Sequence, residues 1–548
     1  MTAKPFEDLP FFARPSALGL LAGALAFTAA LTPSLIPRTG PLQGAVAGLA
    51  FALVYGMAVF GLMVWRWLGL PVSRAVFPQR SGMLLAAGIV IWGLSQATGW
   101  QNQIHAVMGM EPVESARPFI IAGTSLGLVL VLMAIGRLFR RAVVIVANRA
   151  ARFVPLRLAM ALGIVAASAL FWSIGSGVLM DGALRFMDST YRRLDALIPA
   201  DIPPPSDPLK SGSAASLVGW QGLGAQGRDR VVAFPDAATI EQVTGAPAME
   251  PLRVYVGLNN AEDAEARADL ALAELIRVGG FDRKLLVIAT PTGTGWIDPA
   301  SMTPLEFLWG GDLASVSVQY SYLPSWLSLI VQPEYGHETA RAVFRKVYDH
   351  WRKLPKDSRP RLYLHGLSLG SLNSDLSLDI FDIVGDPPQG AFWVGPPFAS
   401  RLWPQVTAAR NPGTPAWSPE FRDGSFVRFT TQTDTAGKGA PWGDMRIVYL
   451  QYPSDAIVFF EPESIYRAPD WMAKPRGPDV SPGLRWLPVV TFVQLLTDMM
   501  TATLTPAGHG HVYAARHYME GWVAVTDPPR ADAATLDRLR AWFAEQGI

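Results

Sequence analysis

A serine flanked by glycines is the residue in this chain whose type and spacing point most directly to chemistry. Residues 366–370 (GLSLG) fit the pattern G-x-S-x-G and follow Arg361–His365, an apolar run typical of a buried strand. In this setting the serine occupies a tight strand-to-helix turn that presents its hydroxyl as a nucleophile. We therefore expect Ser368 to carry an acyl-transfer reaction, with the amide of Leu369 at the helix start stabilising the oxyanion.

The same pattern occurs a second time and shows how weak it is alone. Residues 123–127 (GTSLG) lie inside a long apolar run with no strand before them. There the small residues are typical of a helix-packing surface. The preceding strand therefore decides in favour of Ser368.

A nucleophilic serine needs a base, and three histidines follow Ser368 in the chain. His509 and His511 lie in a glycine-flanked loop near the C-terminus, whereas His517 begins a helical stretch and is predicted to lie on the surface. We favour His511 as the base and keep His509 as the second choice. The other histidine would bond the backbone or gate the pocket.

The acid that orients the base is predicted to be Asp455. It follows the apolar run Met445–Pro453, which is typical of a strand that ends in a turn. Catalytic groups on open α/β sheets collect at such carboxyl ends. We expect the Ser368 hydroxyl, the His511 imidazole and the Asp455 carboxylate to meet within hydrogen-bonding reach.

A second oxyanion donor is expected in the loop after an earlier strand. Leu285–Thr290 runs into residues 291–296 (PTGTGW), where backbone amides could approach a substrate oxygen. Gly293 and Thr294 are the candidates. An ordinary glycine turn is the alternative.

Alternating strands and helices must position these residues. The alternation predicts a mainly parallel sheet covered by helices on both faces. The predicted strands are Arg253–Gly257, Leu285–Thr290, Arg361–His365, Gly390–Val394 and Met445–Gln451, and the predicted helices are Ala264–Arg277, Glu338–Trp351 and Ala534–Glu545.

The first third of the chain has a different composition. Five apolar runs free of Asp, Glu, Lys and Arg each have about the 20 residues needed to cross a bilayer. They predict an all-α transmembrane domain over residues 1–190, followed by a Pro- and Ser-rich linker over 191–215 and a catalytic domain over 216–548. The runs are Ser16–Ile36, Leu42–Trp65, Ser81–Trp100, Pro118–Gly136 and Leu158–Met180.

The positive residues between these runs predict the orientation. The N-terminal tail and the second and fourth connections hold eleven Lys and Arg residues, whereas the first and third hold only Arg38 and Arg117. Because the richer side is normally cytoplasmic, we expect a multi-pass inner-membrane protein with a cytoplasmic N-terminus. Five crossings then place the catalytic domain in the periplasm.

Composition excludes several kinds of partner and cofactor. The chain has no cysteine, so disulfides, thiolate zinc sites and iron–sulfur clusters are ruled out. A net charge of +1 gives no basic surface for nucleic acid. Residues 222–227 (GLGAQG) fit a dinucleotide fingerprint, but Arg228–Val232 predicts a strand where a helix is required. We expect no cofactor and no metal.

Several of these stretches together resemble the bacterial membrane-anchored α/β-hydrolases known as α/β-hydrolase family 9, with their N-terminal membrane region. The resemblance covers most of the chain. It departs at Leu367, where the family is associated with an acidic residue, and at residues 486–505, which predict a helix more than the usual last strand. The matching stretches are 291–299 (PTGTGWIDP), 319–328 (QYSYLPSWLS), 366–371 (GLSLGS), 395–398 (GPPF) and 508–513 (GHGHVY).

The resemblance implies hydrolase chemistry, with the acid and the base following the nucleophile in chain order. Together with the membrane spans it predicts a serine hydrolase of the esterase or lipase type, acting on a lipid-like or envelope-derived ester. A transacylase with the same triad, a catalytically inactive membrane scaffold and a transporter are the alternatives. The lipid bilayer and the ester are the expected partners, and the sequence predicts no oligomeric state.

Overall fold

The computed structural model describes residues 15–71, 79–196, 203–233, 235–324, 327–328, 333–433 and 435–548, and the chain divides into two compact units. The helical unit contains Met1–Met187, Pro462–Pro469 and Ser481–Asp498. The sheet unit contains Asp188–Glu461, Asp470–Val480 and Met499–Ile548. A segment close to the C-terminus thus belongs to the same unit as the N-terminal helices.

The predicted all-helical apolar region is confirmed. Among the described residues, four helices are long and apolar enough to cross a membrane, namely Gly40–Trp65, Arg80–Val107, Pro118–Ala150 and Leu156–Gly177. The helices are α1 (Ala17–Leu31), α2 (Gly40–Trp67), α3 (Gln79–Val107), α4 (Pro118–Ala150) and α5 (Leu156–Trp172), followed by a π-helical stretch at Ser173–Met180.

The first helix is shorter than its apolar run. α1 has 15 residues and covers roughly 22 Å at 1.5 Å per residue, less than the hydrocarbon core of about 30 Å. It ends because Thr32 precedes a proline, and the residue before proline is disfavoured in helical conformation. The predicted first span at Ser16–Ile36 is therefore helical only in part.

The sheet unit contains a seven-stranded sheet with the order β1-β3-β2-β4-β5-β7-β6, and every neighbouring pair is parallel. All five predicted strands are confirmed to within two residues, and β3 and β6 are additions that were not predicted. The strands are β1 (Leu252–Val256), β2 (Leu285–Thr290), β3 (Leu313–Val318), β4 (Arg361–Leu367), β5 (Gly390–Val394), β6 (Val427–Thr430) and β7 (Arg446–Leu450).

Helices accompany these strands along the chain, and the three predicted helices are confirmed. The helices are α6 (Asp181–Ala196), α7 (Gly224–Val231), α8 (Ala237–Thr244), α9 (Ala264–Arg277), α10 (Pro299–Leu308), α11 (Pro333–Trp351), α12 (Leu369–Ser377), α13 (Ile380–Ile383), α14 (Leu402–Ala408), α15 (Ala456–Phe459), α16 (Val490–Met500), α17 (Ala515–Thr526) and α18 (Ala533–Gln546).

Both faces of the sheet are covered, as the alternation of strands and helices predicted. On β2, Val287 and Ala289 share a buried cluster with Trp522 of α17. Ile288, between them, points to the other face and lines a small cavity with Val343 of α11. The fold class of an apolar helical region followed by an α/β domain with a parallel sheet is therefore confirmed.

Described residues of the stretch predicted as a linker contact β1 and α9, and residues 197–202 of that stretch lie outside the described part of the chain. Ser211 is fully buried, and its hydroxyl accepts a hydrogen bond from the Tyr255 amide of β1 at 3.3 Å. Arg277 of α9 donates to the Pro208 carbonyl at 2.7 Å.

The strand predicted for Arg228–Val232 is wrong, because Gly224–Val231 forms α7 instead. The Asp195 carboxylate accepts the Ala225 amide at 3.0 Å and so caps the first turn of this helix. A cap supplied from α6, about 30 residues earlier in the chain, has no local sequence signal.

Candidate active site

The turn between β4 and α12 places Ser368 in a strained conformation. Its backbone has φ 56° and ψ −123°, which a non-glycine residue adopts only when the surrounding structure imposes it. A Cβ on Gly366 would lie 2.2 Å from the Gly370 carbonyl carbon, and a Cβ on Gly370 would lie 2.2 Å from the Thr290 carbonyl oxygen. Only glycine fits at these two positions, so the strand, turn and helix have the arrangement that the motif requires.

Asp455 and His511 form a buried hydrogen-bonded pair. Asp455 caps α15, just beyond β7, and its Oδ1 accepts the Ile457 amide at 2.9 Å. Its Oδ2 accepts a hydrogen bond from His511 Nδ1 at 2.6 Å and another from the Tyr513 hydroxyl at 2.7 Å. Because a carboxylate only accepts, the imidazole proton lies on Nδ1 and leaves a lone pair on Nε2.

Asp455 bonds one of the two ring nitrogens of His511, which is Nδ1. His511 Nε2 is buried and has no hydrogen-bond partner in the part of the chain that the structure describes. A neutral imidazole held at Nδ1 with its Nε2 free can accept a proton, which is the role of the base in serine hydrolysis. Catalytic hydrogen bonds to the nucleophile are commonly loose in the absence of substrate.

Two consecutive residues at the end of β5 contact the serine turn and the imidazole. The Ser368 amide donates to the Val394 carbonyl at the end of β5 at 2.9 Å. The next residue, Gly395, packs so closely under His511 that a Cβ there would lie 2.6 Å from the ring carbon Cε1. Ser368, Gly395 and Asp455 therefore follow the carboxyl ends of three neighbouring strands, β4, β5 and β7, and His511 contacts both Gly395 and Asp455.

The second-choice histidine faces a different acid. His509 Nδ1 lies 3.7 Å from Asp479 Oδ2, an oxygen that also accepts hydrogen bonds from Ser454 and Gln432 at 2.5 Å each. Ser454 in turn accepts the Gly510 amide at 2.8 Å. This second polar cluster holds the backbone of the histidine loop, and the structure pairs Asp455 with His511 instead.

The predicted oxyanion donors lie at the start of α12 and in the loop after β2. Leu369 is the first residue of α12, where amides have no acceptor within the helix. The loop over residues 291–296 is tight, since the Thr292 amide donates to the Trp296 carbonyl at 3.0 Å. The Thr294 carbonyl accepts a hydrogen bond from Gln319 at 3.1 Å, which fixes the loop beside Gly293.

Two tyrosines and one more carboxylate belong to the site and were not predicted. Tyr513 bonds Asp455, and its position two residues after His511 is a signal that could have found it, because such residues share a face of an extended chain. Asp298 accepts a hydrogen bond from the Tyr518 hydroxyl at 3.0 Å. Burial raises the pKa of Asp298 to about 6, although its charge interaction with His511 opposes the shift.

The remaining histidines of this region are packed as neutral groups. His365 bonds the Phe392 carbonyl at 2.8 Å, and burial lowers its pKa to about 4. The surface position predicted for His517 is wrong, because the residue is 3% exposed and bonds the Tyr452 hydroxyl at 2.5 Å. Burial lowers the pKa of His517 to about 3. Its helix α17 packs on β5 and β7, and helical periodicity alone did not show which face is covered.

The aromatic stretch before α11 is core where the structure describes it. Tyr320, Tyr322 and Leu323 are all buried. Residues 325 and 326 lie outside the described part of the chain. Among the described residues, no group of three His, Asp or Glu side chains is placed to hold a metal ion.

Comparison with known sequences gives one family for both units. The sequence model of a family described as "Alpha/beta-hydrolase family" matches residues 252–539, and that of "Alpha/beta-hydrolase family N-terminus" matches residues 31–235. No curated protein and no solved structure matches the chain.

Proposed function

The chain belongs to the α/β-hydrolase family, and we propose that it is a membrane-anchored serine hydrolase that cleaves a carboxylic ester through an acyl-enzyme on Ser368. One observation carries this proposal. Asp455 accepts a hydrogen bond from His511 Nδ1, His511 Nε2 is buried without a hydrogen-bond partner among the described residues, and Ser368 lies on a strained turn.

In the proposed mechanism the Ser368 hydroxyl attacks the ester carbonyl while His511 Nε2 takes its proton. Asp455 stabilises the imidazolium that forms. The Leu369 amide and the loop at Gly293 and Thr294 receive the negative charge on the tetrahedral oxygen. The imidazolium then protonates the leaving alkoxide oxygen, which departs as the alcohol. In the second half, His511 takes a proton from the attacking water and returns it to the Ser368 oxygen, which releases the acid and restores the serine.

The substrate class follows from the burial of the site and from the membrane helices. Ser368 is 4% exposed and His511 is 7% exposed, so an ester must leave water to reach them. The helical unit has four helices able to cross a bilayer. A lipid-like or envelope-derived ester meets both conditions, because it already lies in or beside the bilayer and loses little hydration on entering an apolar site.

The same burial favours one second candidate function. A site that excludes water can pass its acyl group to another alcohol, which makes the protein a transacylase with an unchanged triad. To separate the two, the full-length protein in lipid nanodiscs is incubated with p-nitrophenyl butyrate in H₂¹⁸O. Hydrolysis puts ¹⁸O into the butyrate, whereas transfer to added glycerol gives unlabelled glyceryl butyrate. If neither product forms and Ser368 does not react with a fluorophosphonate probe, the chain is an inactive scaffold.

We propose that the sheet unit faces the periplasm from the inner membrane. Four crossings between Gly40 and Gly177 return the chain to its starting side. In this proposal the apolar run Ser16–Ile36, of which α1 forms the helical part, supplies a fifth crossing from a cytoplasmic N-terminus. Because the chain has no native cysteine, single introduced cysteines report without background. In intact cells a membrane-impermeant maleimide should label Phe381→Cys but not Arg152→Cys in the α4–α5 connection, and the reverse pattern would overturn this orientation.

A further inference from the structure

The helical unit buries an ion pair that joins distant parts of the chain. Arg38, in the α1–α2 connection, donates to Asp498 of α16 through Nη2 at 2.7 Å and through Nε at 3.0 Å. The two side chains are 1% and 0% exposed. They are separated by 460 residues in sequence.

Other polar groups complete the hydrogen bonds of this pair. The Arg38 guanidinium also donates to the Ser34 hydroxyl at 2.7 Å and to the Gln494 carbonyl at 3.0 Å. The Asp498 carboxylate also accepts the Leu35 amide at 3.1 Å and the Ser34 hydroxyl. We call Arg38, Asp498, Ser34 and Gln494 the Arg38 cluster.

The Arg38 cluster determines where α16 lies within the helical unit. Gln494 donates from the same helix to the carbonyls of Ala30 at 3.2 Å and Thr32 at 3.1 Å. Val490 and Val493 of α16 pack in one buried cluster with α1, α2 and α4 residues. A buried charge that loses its partner is strongly unfavourable. The position of α16 within the helical unit therefore depends on Arg38 and Asp498 together.

The same helix continues to the predicted base. α16 ends at Met500, and the carbonyl of Ala502 accepts the His511 amide at 2.9 Å. Thr505 donates to the His509 carbonyl at 2.7 Å, and a Cβ on Gly510 would lie 2.8 Å from the Ala502 carbonyl oxygen. Ala502, four residues after Asp498, therefore bonds the backbone of the histidine loop directly.

We propose that Arg38 is a positioning residue for His511. Through Asp498 it fixes α16, and α16 fixes the carbonyl and turn that hold the imidazole against Asp455. The helical unit thereby contributes to catalysis as well as to anchoring. This inference rests on the proposed function, and it predicts that loss of the ion pair slows the chemical step while substrate binding is retained.

The test compares Arg38→Gln with Arg140→Gln, an exposed arginine of α4, in full-length protein in nanodiscs. Misplacement of a catalytic group by about 1 Å can cost about 100-fold in rate, so we expect Arg38→Gln to lower kcat by at least about 10-fold with KM changed less than about 2-fold. Arg38→Lys, which keeps the charge, should recover part of that loss, and Arg140→Gln should match the wild type.

Hydrogen exchange provides a readout that does not depend on activity. In Arg38→Gln the amides of residues 499–512 should exchange faster, while those of β4 keep their protection. A folded Arg38→Gln protein with wild-type kcat and wild-type exchange at 499–512 would overturn the inference, as would equal loosening of β4. If Arg38→Gln does not fold, Asp498→Asn decides by the same two measurements. A wild-type protein without esterase or transacylase activity would defeat the proposed function, while the exchange result still tests the link from Arg38 to the histidine loop.

Discussion

The two G-x-S-x-G segments differ in everything except their pattern. Ser368 lies between a strand and a helix with φ 56°, and a Cβ on Gly370 would collide with the backbone of β2. Ser125 lies inside α4, and its hydroxyl donates to the Gly44 carbonyl of α2 at 2.7 Å. Ser368 thus has a strained backbone at a strand-to-helix turn, whereas the Ser125 hydroxyl is bonded in a contact between two helices.

The glycines of the two segments show the same contrast. Among the described residues, and apart from the backbone of α4 itself, a Cβ on Gly123 or Gly127 would meet no atom within 4 Å, so contacts in the described structure do not require glycine there. The close approach of α2 to α4 depends instead on Gly44 and Gly48, where a Cβ would lie 2.7 Å from the Ile121 carbonyl and 3.0 Å from Ser125. The helix-packing role predicted for 123–127 thus belongs to Ser125 and to the glycines of the facing helix.

Replacing the two serines gives the largest expected difference. Ser368→Ala should lower kcat for p-nitrophenyl butyrate by at least about 10³-fold and abolish fluorophosphonate labelling, because no other hydroxyl occupies the strained turn. Ser125→Ala loses one hydrogen bond, worth about 1 kcal/mol, and should keep wild-type kcat. Equal activity of the two variants would remove the distinction between the segments.

Replacing the two loop histidines sharpens the comparison at the base. His511→Gln should lower kcat by about 10³-fold, since the Asp455 carboxylate then has no imidazole to orient. His509→Gln alters only the cluster at Asp479 and should cost less than about 10-fold. The initial rate of ester cleavage at saturating substrate measures both, and a greater loss in His509→Gln would assign the base to that residue.

Alanine at matched glycines tests the packing difference directly. Gly370→Ala should destabilise the sheet unit by about 1–3 kcal/mol, because the methyl group meets the Thr290 carbonyl. Gly127→Ala enters open space in a helix interior and should stabilise by up to about 1 kcal/mol. Thermal unfolding followed by tryptophan fluorescence measures both changes. Similar shifts in the two variants would contradict the structural contrast.

The smallest expected effect is a pH dependence of stability that arises from His517. Its folded pKa of about 3 lies below its ordinary value of 6.5, so its contribution to stability is complete above pH 6.5 and is lost as the pH falls toward 3. The slope is about 1.4 kcal/mol per pH unit for this histidine. Asp298, with a raised pKa of about 6, contributes in the opposite direction between about pH 4 and 6.

The measurement is urea unfolding of the sheet unit within the full-length protein at pH 7, 6 and 5, for wild type and His517→Gln. The variant should lose less stability over this range. Parallel curves for the two proteins would show that folding does not lower the pKa of His517.

Much of the sheet unit could be predicted because its signals are local. Five of the strands appear as short apolar runs, and the turn at Ser368 is specified by glycines two residues away on either side. β3 was missed because its serines at 315 and 317 make Leu313–Val318 look half-exposed, although every residue in it is buried. Tyr518 and Asp298 were missed because 220 residues separate them and no local pattern links them.

The sequence by itself determined the apolar helices, the order of strands and helices along the chain, and the small set of residues able to act as nucleophile, acid and base. Those features depend on contacts within a few residues, where steric crowding, periodicity and apolar length decide the outcome. Only the tertiary structure decided that Asp455 bonds His511 while His509 faces Asp479, that His517 is buried, and that Arg38 pairs with Asp498. These contacts join elements from distant parts of the chain, and their energies depend on burial that only the complete fold creates.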